Sequence, residues 1–244
     1  MLDSGGTAQS ILWIRDRYDP SPEVYRLGYS TYHHVVPDSF VLQGGLDSGG
    51  GFLDWSARLL GLEPAEERVA QLVSLAAQSV PGANGVVALP FLLGKGAPHR
   101  QPAARGLIGG LRMSHCRADI ARACVEALAF WLRDNLDAMH ALLGREPAEI
   151  IGAGGVNRSP LLCQIKADVA GLPFTVPQIE EGAALGAALL AGLGVGLFPS
   201  AEAARASVRA GVSRYLPDAG RHAAYDRHYR EEYQPLLLRN FPSA

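Results

Sequence analysis

The sequence predicts an α/β domain built on a mixed sheet with helices on both faces, and three patterns carry that prediction. Short apolar or β-branched runs broken by Pro, Asp and Gly fill the segment from Met1 to about Gln43, the mark of an antiparallel meander. A long stretch from about Cys116 to Leu143 repeats its apolar residues at three- and four-residue steps, as an amphipathic helix does. Finally, Glu149 to Val176 reads as strand, glycine turn, helix and strand, which predicts a parallel crossover unit.

Taken in order, the opening strands are expected at Ser10-Ile11-Leu12-Trp13-Ile14, Val24-Tyr25-Arg26-Leu27 and Phe40-Val41-Leu42. After Gly49-Gly50-Gly51, Phe52, Trp55, Leu59 and Leu60 fall at helical spacing, and a second helix over Ala65 to Ala77 aligns Val69, Leu72, Val73 and Ala76. Gly85 to Pro90 reads as a buried strand. A Gly/Pro-rich loop from Leu92 to Arg105 leads into a short strand at Leu107 to Leu111. In the long helix Ile120, Cys124, Leu128, Trp131, Leu132, Leu136, Met139 and Leu143 form the stripe, with Ser114 as the expected N-cap and Gly144 as the stop. The crossover comprises strand Glu149–Ile151, turn Gly152–Gly155, helix Ser159–Ala170 with Gly171 at its C-cap, and strand Phe174–Val176. Glu181-Gly182-Ala183 opens a small-residue helix over Ala184 to Ala191, whose slim side chains suggest close packing on backbone. Two helices are expected in the tail, the last with Tyr225, Tyr229, Tyr233 and Leu236 on one stripe.

Composition narrows the function. Of 244 residues, 48% are hydrophobic and 19% charged, an ordinary globular mixture remote from the signature of disorder. The net charge is −2 and the arginines are scattered among acids without forming a basic stripe, so nucleic acid is not an expected partner. No apolar run reaches about 18 residues, and Met1 to Thr7 lacks the basic-then-apolar layout of a secretion signal, which makes the cytoplasm the expected compartment and excludes a membrane partner. Cys116, Cys124 and Cys163 are odd in number and lack CxxC spacing, so they are expected to be buried free thiols rather than disulfides or zinc ligands.

The most informative segment is Gly152-Ala153-Gly154-Gly155-Val156-Asn157-Arg158-Ser159. A strand ending in glycines and turning into a helix offers unblocked N–H groups and a positive helix end to an anion. Such turns also serve purely as packing devices, and this one matches neither GxGxxG nor GxxxxGK[ST].

Gly154-Gly155-Val156-Asn157-Arg158-Ser159-Pro160-Leu161, followed by Ala167-Asp168-Val169, Gly171-Leu172-Pro173, Val176-Pro177 and Glu181 to Ala188, resembles the adenosine-binding region of the FGGY carbohydrate kinases, which include xylulokinase and glycerol kinase. A second block is similar to that family's C-terminal signature: Gly106-Leu107-Ile108-Gly109-Gly110-Leu111, then Asp119 to Glu126, with Cys124 departing from the residues the family prefers. At the start, Asp3-Ser4-Gly5-Gly6-Thr7 resembles the Gly-Thr element that faces the ATP phosphates, and Gly49-Gly50-Gly51 with Asp54-Trp55 resembles the next nucleotide-contacting turn.

The resemblance implies a ribonuclease H-like, actin-like ATPase domain that uses ATP and Mg²⁺ to phosphorylate a hydroxyl of a sugar or polyol. By the same carry-over, Gly6 and Thr7 hold the terminal phosphates, Gly50 and Asp54 line the cleft, Gly154 and Gly155 contact the nucleotide, and Asn157 and Ser159 sit beside the adenosine. Family members place ATP between two domains, and the N-terminal one holds the first phosphate loop, most of the sugar pocket and a catalytic aspartate. Residues 1–244 thus correspond to the C-terminal domain alone, and the N-terminal half is an expected partner, with a homo-oligomer compatible with the sequence. No catalytic residue is assigned here: Asp3 is too close to Gly6-Thr7 to match the family's base. Lys95-Gly96 stand where the family commonly has Glu-Arg, His99 is a lone loop histidine, and Glu126 is as readily structural as catalytic. A non-enzymatic actin-like remnant or partner subunit would keep the same glycines and is the alternative reading.

Overall fold

A computed structural model describes residues 1–242. Its main sheet has seven strands in the order β3-β4-β2-β1-β7-β8-β9. These are β1 (Leu2–Gly5), β2 (Gln9–Arg15), β3 (Ser30–His33), β4 (Phe40–Leu46), β7 (Ile150–Ala153), β8 (Phe174–Pro177) and β9 (Val212–Tyr215). The left half is antiparallel, with β1 on β2, β2 on β4 and β4 on β3. β1 then pairs parallel with β7, and β7 parallel with β8, as the crossover pattern predicts. A small second sheet pairs β5 (Val87–Leu89) with β6 (Leu107–Gly109).

Several elements depart from the sequence expectation. Val24 lies in a helix, α1 (Pro22–Arg26), because Ser21 caps it and Pro22 presets its first turn. The N-cap of the long helix α4 (Arg117–Leu143) is Cys116, not Ser114. Asp119 at the third position folds back to accept from the Cys116 N–H at 2.9 Å, the reciprocal half of a capping box. That hydrogen bond, with those from Ser79 and Asn84, holds the Asp119 carboxyl well below the usual range. Cys116 is exposed, whereas Cys124 and Cys163 are buried as expected. Strand β9 was not foreseen: four residues of edge strand carry too short a period to be distinct.

The core forms where α4 packs on α3 (Arg68–Ala76), on α5 (Pro160–Ala170) and beneath the small sheet. Gly144 and Gly171 end α4 and α5 in left-handed conformation, as the sequence indicates. In the tail, α8 (Ala219–His228), a π-helical turn (Tyr229–Tyr233) and α9 (Gln234–Asn240) bury Tyr225, Tyr229 and Tyr233 around Phe130. Burial alternates along β2, where Ile11 and Trp13 are in the core while Ile14 on the other face is 47% exposed. That opposite face is only partly covered.

Helix α6 (Gly182–Gly194) overturns its expectation. It has no polar side chain, yet Gly192 is its one buried residue, and Ala183, Ala184, Ala187, Ala188, Leu190 and Ala191 face outward. Its small residues do not pack closely on backbone. They form an open apolar surface that continues through Val195 and Leu197.

Candidate functional site

Three glycine segments meet at the carboxyl ends of β1 and β7. β1 ends at Gly5 and the turn after it carries Gly6 and Thr7; the first turn of α2 (Gly49–Leu59) carries Gly49 to Gly51; the turn after β7 carries Gly154 and Gly155. Backbone bonds lock them together: the Gly50 N–H donates to the Gly6 carbonyl and the Gly51 N–H to the Thr7 carbonyl, both at 2.9 Å. The sheet changes from antiparallel to parallel at β1, the kind of crevice outside strand ends where open α/β sheets bind ligands.

These glycines divide into two kinds. A Cβ on Gly50 would lie 2.3 Å from the Gly6 oxygen, one on Gly49 2.4 Å from the Gln9 nitrogen, and one on Gly154 2.4 Å from the Gly5 oxygen. Those three are glycine because backbone meets backbone. Gly6 and Gly155 instead are exposed and look onto open space; a Cβ on Gly155 would meet nothing within 4 Å. Thr7 is exposed, and its hydroxyl has no hydrogen-bond partner among the described residues. Gly6, Thr7 and Gly155, together with the exposed Gly154, are therefore positions where something outside the protein can approach.

Two of the remaining candidate residues, Asn157 and Ser159, also hold the local structure together. Asn157 is buried, and its amide nitrogen donates to the Asp3 carbonyl at 2.9 Å and the Ala153 carbonyl at 2.8 Å, while Lys166 donates to its oxygen at 2.7 Å. Both polar atoms of that side chain are thus engaged within the protein. Ser159 is the N-cap of α5, its hydroxyl accepting from the Leu162 N–H at 3.3 Å. Asp54 lies one helical turn beyond Gly50, half exposed, with Arg68 at 4.0 Å as its nearest cation.

Beside Gly154 opens a cleft of about 540 Å³ between the ends of β7 and β8, walled by Ala153, Asn157, Arg158, Gln178, Glu180 and Tyr215 and roofed by Gly182 at the start of α6. Arg158, exposed and hydrogen-bonded to the Glu180 carbonyl at 3.0 Å, gives it a cation. The sequence reading did not single out Arg158, Gln178, Glu180 or Tyr215. The signal for the middle pair was the loop between Val176-Pro177 and Gly182, a turn from a parallel strand into a helix. Tyr215 depends on the unforeseen β9.

The acids named in the sequence reading are accounted for. Asp3 is buried, bound to Lys166 at 2.5 Å and to Gln9 at 2.8 Å. Glu126 is buried away from the glycine turns, where one carboxylate oxygen accepts from Arg122, Tyr225 and the Gly82 N–H at 2.6, 2.7 and 3.0 Å. Lys95 is 3% exposed, and its ammonium donates to the carbonyls of Pro98 and His99 within its own loop, so it is not presented to a substrate. Burial lowers its pKa, with Asp134 opposing. Burial also lowers that of His99, helped by Lys95 and Arg26.

A mixed sheet of this order, with glycine turns at the ends of its central strands, places the chain in the ribonuclease H-like, actin-like class of α/β domains. The sequence model described as "FGGY family of carbohydrate kinases, C-terminal domain" matches residues 4–195, and the chain belongs to that family. It is 39% identical over 202 residues to a glycerol kinase of Methylibium petroleiphilum, covering 81% of this chain and 40% of that protein. A glycerol kinase of Dechloromonas aromatica is 42% identical over 160 residues, 66% of this chain and 31% of that protein. Among solved structures, the xylulose kinase from Rhodospirillum rubrum superposes with a TM-score of 0.83 at 32% identity, covering all of this chain and 48% of that one. The Plasmodium falciparum glycerol kinase with ADP, at 20% identity and TM-score 0.79, agrees in fold, over 98% of this chain and 47% of that one. The chain thus spans less than half the length of these relatives.

Proposed function

We propose that this chain supplies the ATP-binding half of an ATP-dependent sugar or polyol kinase. The observation that carries the reading is the convergence of Gly6, Thr7 and Gly155, open and unblocked, at the ends of the two central strands. Adenosine would occupy the cleft beside Gly154 and Arg158, and the phosphates would lie toward Gly6 and Thr7. Family membership supports the chemistry, and the glycerol and xylulose kinases among the relatives support a small polyhydroxylated acceptor.

In that reading the acceptor hydroxyl gives its proton to a base on the N-terminal half while its oxygen attacks the γ-phosphorus and ADP departs. The Thr7 hydroxyl would hold phosphoryl oxygens, and Gly6 and Gly155, having no side chain, would let them approach the main chain although the Gly6 N–H is itself bonded to the Ala8 carbonyl, so the chain would contribute mainly positioning. Mg²⁺ would be held mainly by phosphate oxygens and water. When bound, Mg²⁺ would neutralise charge on the transferring phosphoryl group. The open apolar surface of α6 supports placing the N-terminal half against it, since an exposed patch of that kind marks an interaction surface. No helix among the described residues is long and apolar enough to cross a membrane, and we place the enzyme in the cytoplasm, where ATP is available.

One observation favours a non-catalytic role for the chain alone: Asp3, the acid nearest Thr7 in sequence, has both oxygens engaged by Lys166 and Gln9. Calorimetric titration of Mg²⁺-ATP tests the reading. The native chain should bind, and Gly155→Val, which fills the open space, should bind more than about tenfold more weakly, or about 1.4 kcal/mol. Equal affinities would remove this turn from the site.

A further inference from the structure

Lys166 is wholly buried, and no family motif or sequence pattern drew attention to it. Its ammonium donates to Asp3 Oδ2 at 2.5 Å and to Asn157 Oδ1 at 2.7 Å, with the ring of Phe174 at 5.4 Å. The two acceptors belong to different segments. Asp3 is the second residue of β1, two before Gly5; Asn157 closes the turn that begins at Gly154. Asn157 donates in turn to the Asp3 carbonyl, and Gln9 at the start of β2 donates to the second Asp3 oxygen. One ammonium on α5 therefore ties together the strand that feeds Gly6-Thr7 and the turn that presents Gly155.

Such a pair is poor value as a source of stability, because removing two charges from water costs several kcal/mol per ion and apolar substitutes are often as stable. What it confers is geometry. Gly154 and Gly5 already touch backbone to backbone, but a contact between two glycines resists compression and does not resist separation. The β1–β7 ladder holds the two strands together as far as Ser4 and Ala153, and the Lys166 bridge adds a side-chain restraint that extends to the turns beyond it.

We infer that Lys166 is a positioning residue: by gripping Asp3 and Asn157 it fixes the spacing between the Gly5–Thr7 and Gly154–Asn157 turns, and so the fit of the site to a nucleotide. This rests on the nucleotide-binding function proposed above. The test uses the double variant Asp3→Asn with Lys166→Met, which removes the ion pair without stranding a buried charge, and has two arms. The first is amide hydrogen exchange at Gly6, Gly50 and Asn157, whose N–H groups are bonded within or between the turns, with the β3–β4 amides as an internal reference. Exchange should quicken about tenfold or more at the turns and stay unchanged in β3–β4. The second is Mg²⁺-ATP titration, where affinity should fall about tenfold.

A purely structural role would speed exchange uniformly, and that outcome, or unaltered exchange at the turns, overturns the inference. Unchanged ATP affinity despite loosened turns overturns its link to binding. If the native chain binds no ATP, the proposed function fails, and the exchange arm still decides whether Lys166 holds the turns. Should the double variant not fold, Asp3→Asn with Lys166→Gln keeps a neutral polar pair in the site and leaves the Asn157 amide bonds to the Asp3 and Ala153 carbonyls in place while removing the ammonium bridge. Selective quickening at Gly50 and Asn157 is then expected, and uniform or absent quickening overturns the inference.

Discussion

Gly154 rests against Gly5 so closely that a methyl group on it would lie 2.4 Å from the Gly5 oxygen, while its neighbour Gly155 faces open space. Gly154 also has φ of +83°, a conformation that L side chains rarely adopt. Gly154→Ala should therefore cost on the order of 1–3 kcal/mol of stability, and Gly155→Ala no more than about 0.5 kcal/mol. Urea titration of both variants measures this; equal losses would contradict the division between packing and open glycines.

Glu126 should act on stability alone. Glu126→Gln leaves Arg122 buried without its counter-charge and should cost about 3–5 kcal/mol. Tyr225→Phe, which removes the hydroxyl between Arg122 and Glu126, should cost about 1–3 kcal/mol. The folded fraction of either variant should bind ATP as the native chain does, and a selective loss of affinity would return Glu126 to the list of functional acids.

Asp134 gives stability a pH dependence of unusual sign. Burial pushes its carboxyl up to about 6, with Lys95 and a hydrogen bond from Tyr229 pulling the other way. The folded chain thus binds this proton more tightly than the unfolded chain, so the contribution is full below about pH 4 and is lost as pH rises through about 6. Asp134→Asn should gain on the native chain more at pH 7.5 than at pH 4.5. Denaturant midpoints at the two pH values check this, and an identical difference at both would refute it.

The chain alone should not phosphorylate sugars. General-base catalysis contributes about 10²–10⁴-fold, and positioning of two reactants contributes more. Of the acids nearest the glycine turns, Asp3 is tied up by Lys166 and Gln9 and Asp54 is paired loosely with Arg68, while Asp47, two residues before Gly49, is exposed but lacks the second cleft wall that would position an acceptor against it. An ADP-release assay against pentoses, hexoses and polyols should show turnover only when a separately expressed N-terminal half is added. Sugar-dependent turnover by the chain alone would redirect attention to Asp47 and Asp54.

The parts of the fold with local causes were legible. The crossover around Gly154, the stripe of α4 and the stops at Gly144 and Gly171 follow from periodicity and glycine placement, and the structure contains them. Ser21-Pro22-Glu23 is a helix start that competes with the strand preference of β-branched Val24 and aromatic Tyr25, and the cap decides in favour of the helix. Other features have no local cause. Whether α6 is covered depends on what surrounds it, and its string of Ala and Leu reads the same inside or outside a core. The Lys166 bridge joins residues 163 positions apart, a relation that only the closed sheet creates. At the site itself, the glycines could be found in sequence, but which of them face a ligand and which face each other could not.

The position of β1 sets a timetable for synthesis. Its antiparallel partner β2 follows within a few residues, whereas its parallel partner β7 begins at Ile150. At about 5–20 residues per second, a ribosome needs roughly 7–30 s to deliver that second partner. Throughout that interval one edge of β1 stands unpaired, and an unpaired edge is a template for joining another chain. A nascent copy is consequently most open to mispairing between the emergence of β1 and that of Ile150, and chaperone binding should be concentrated in that interval.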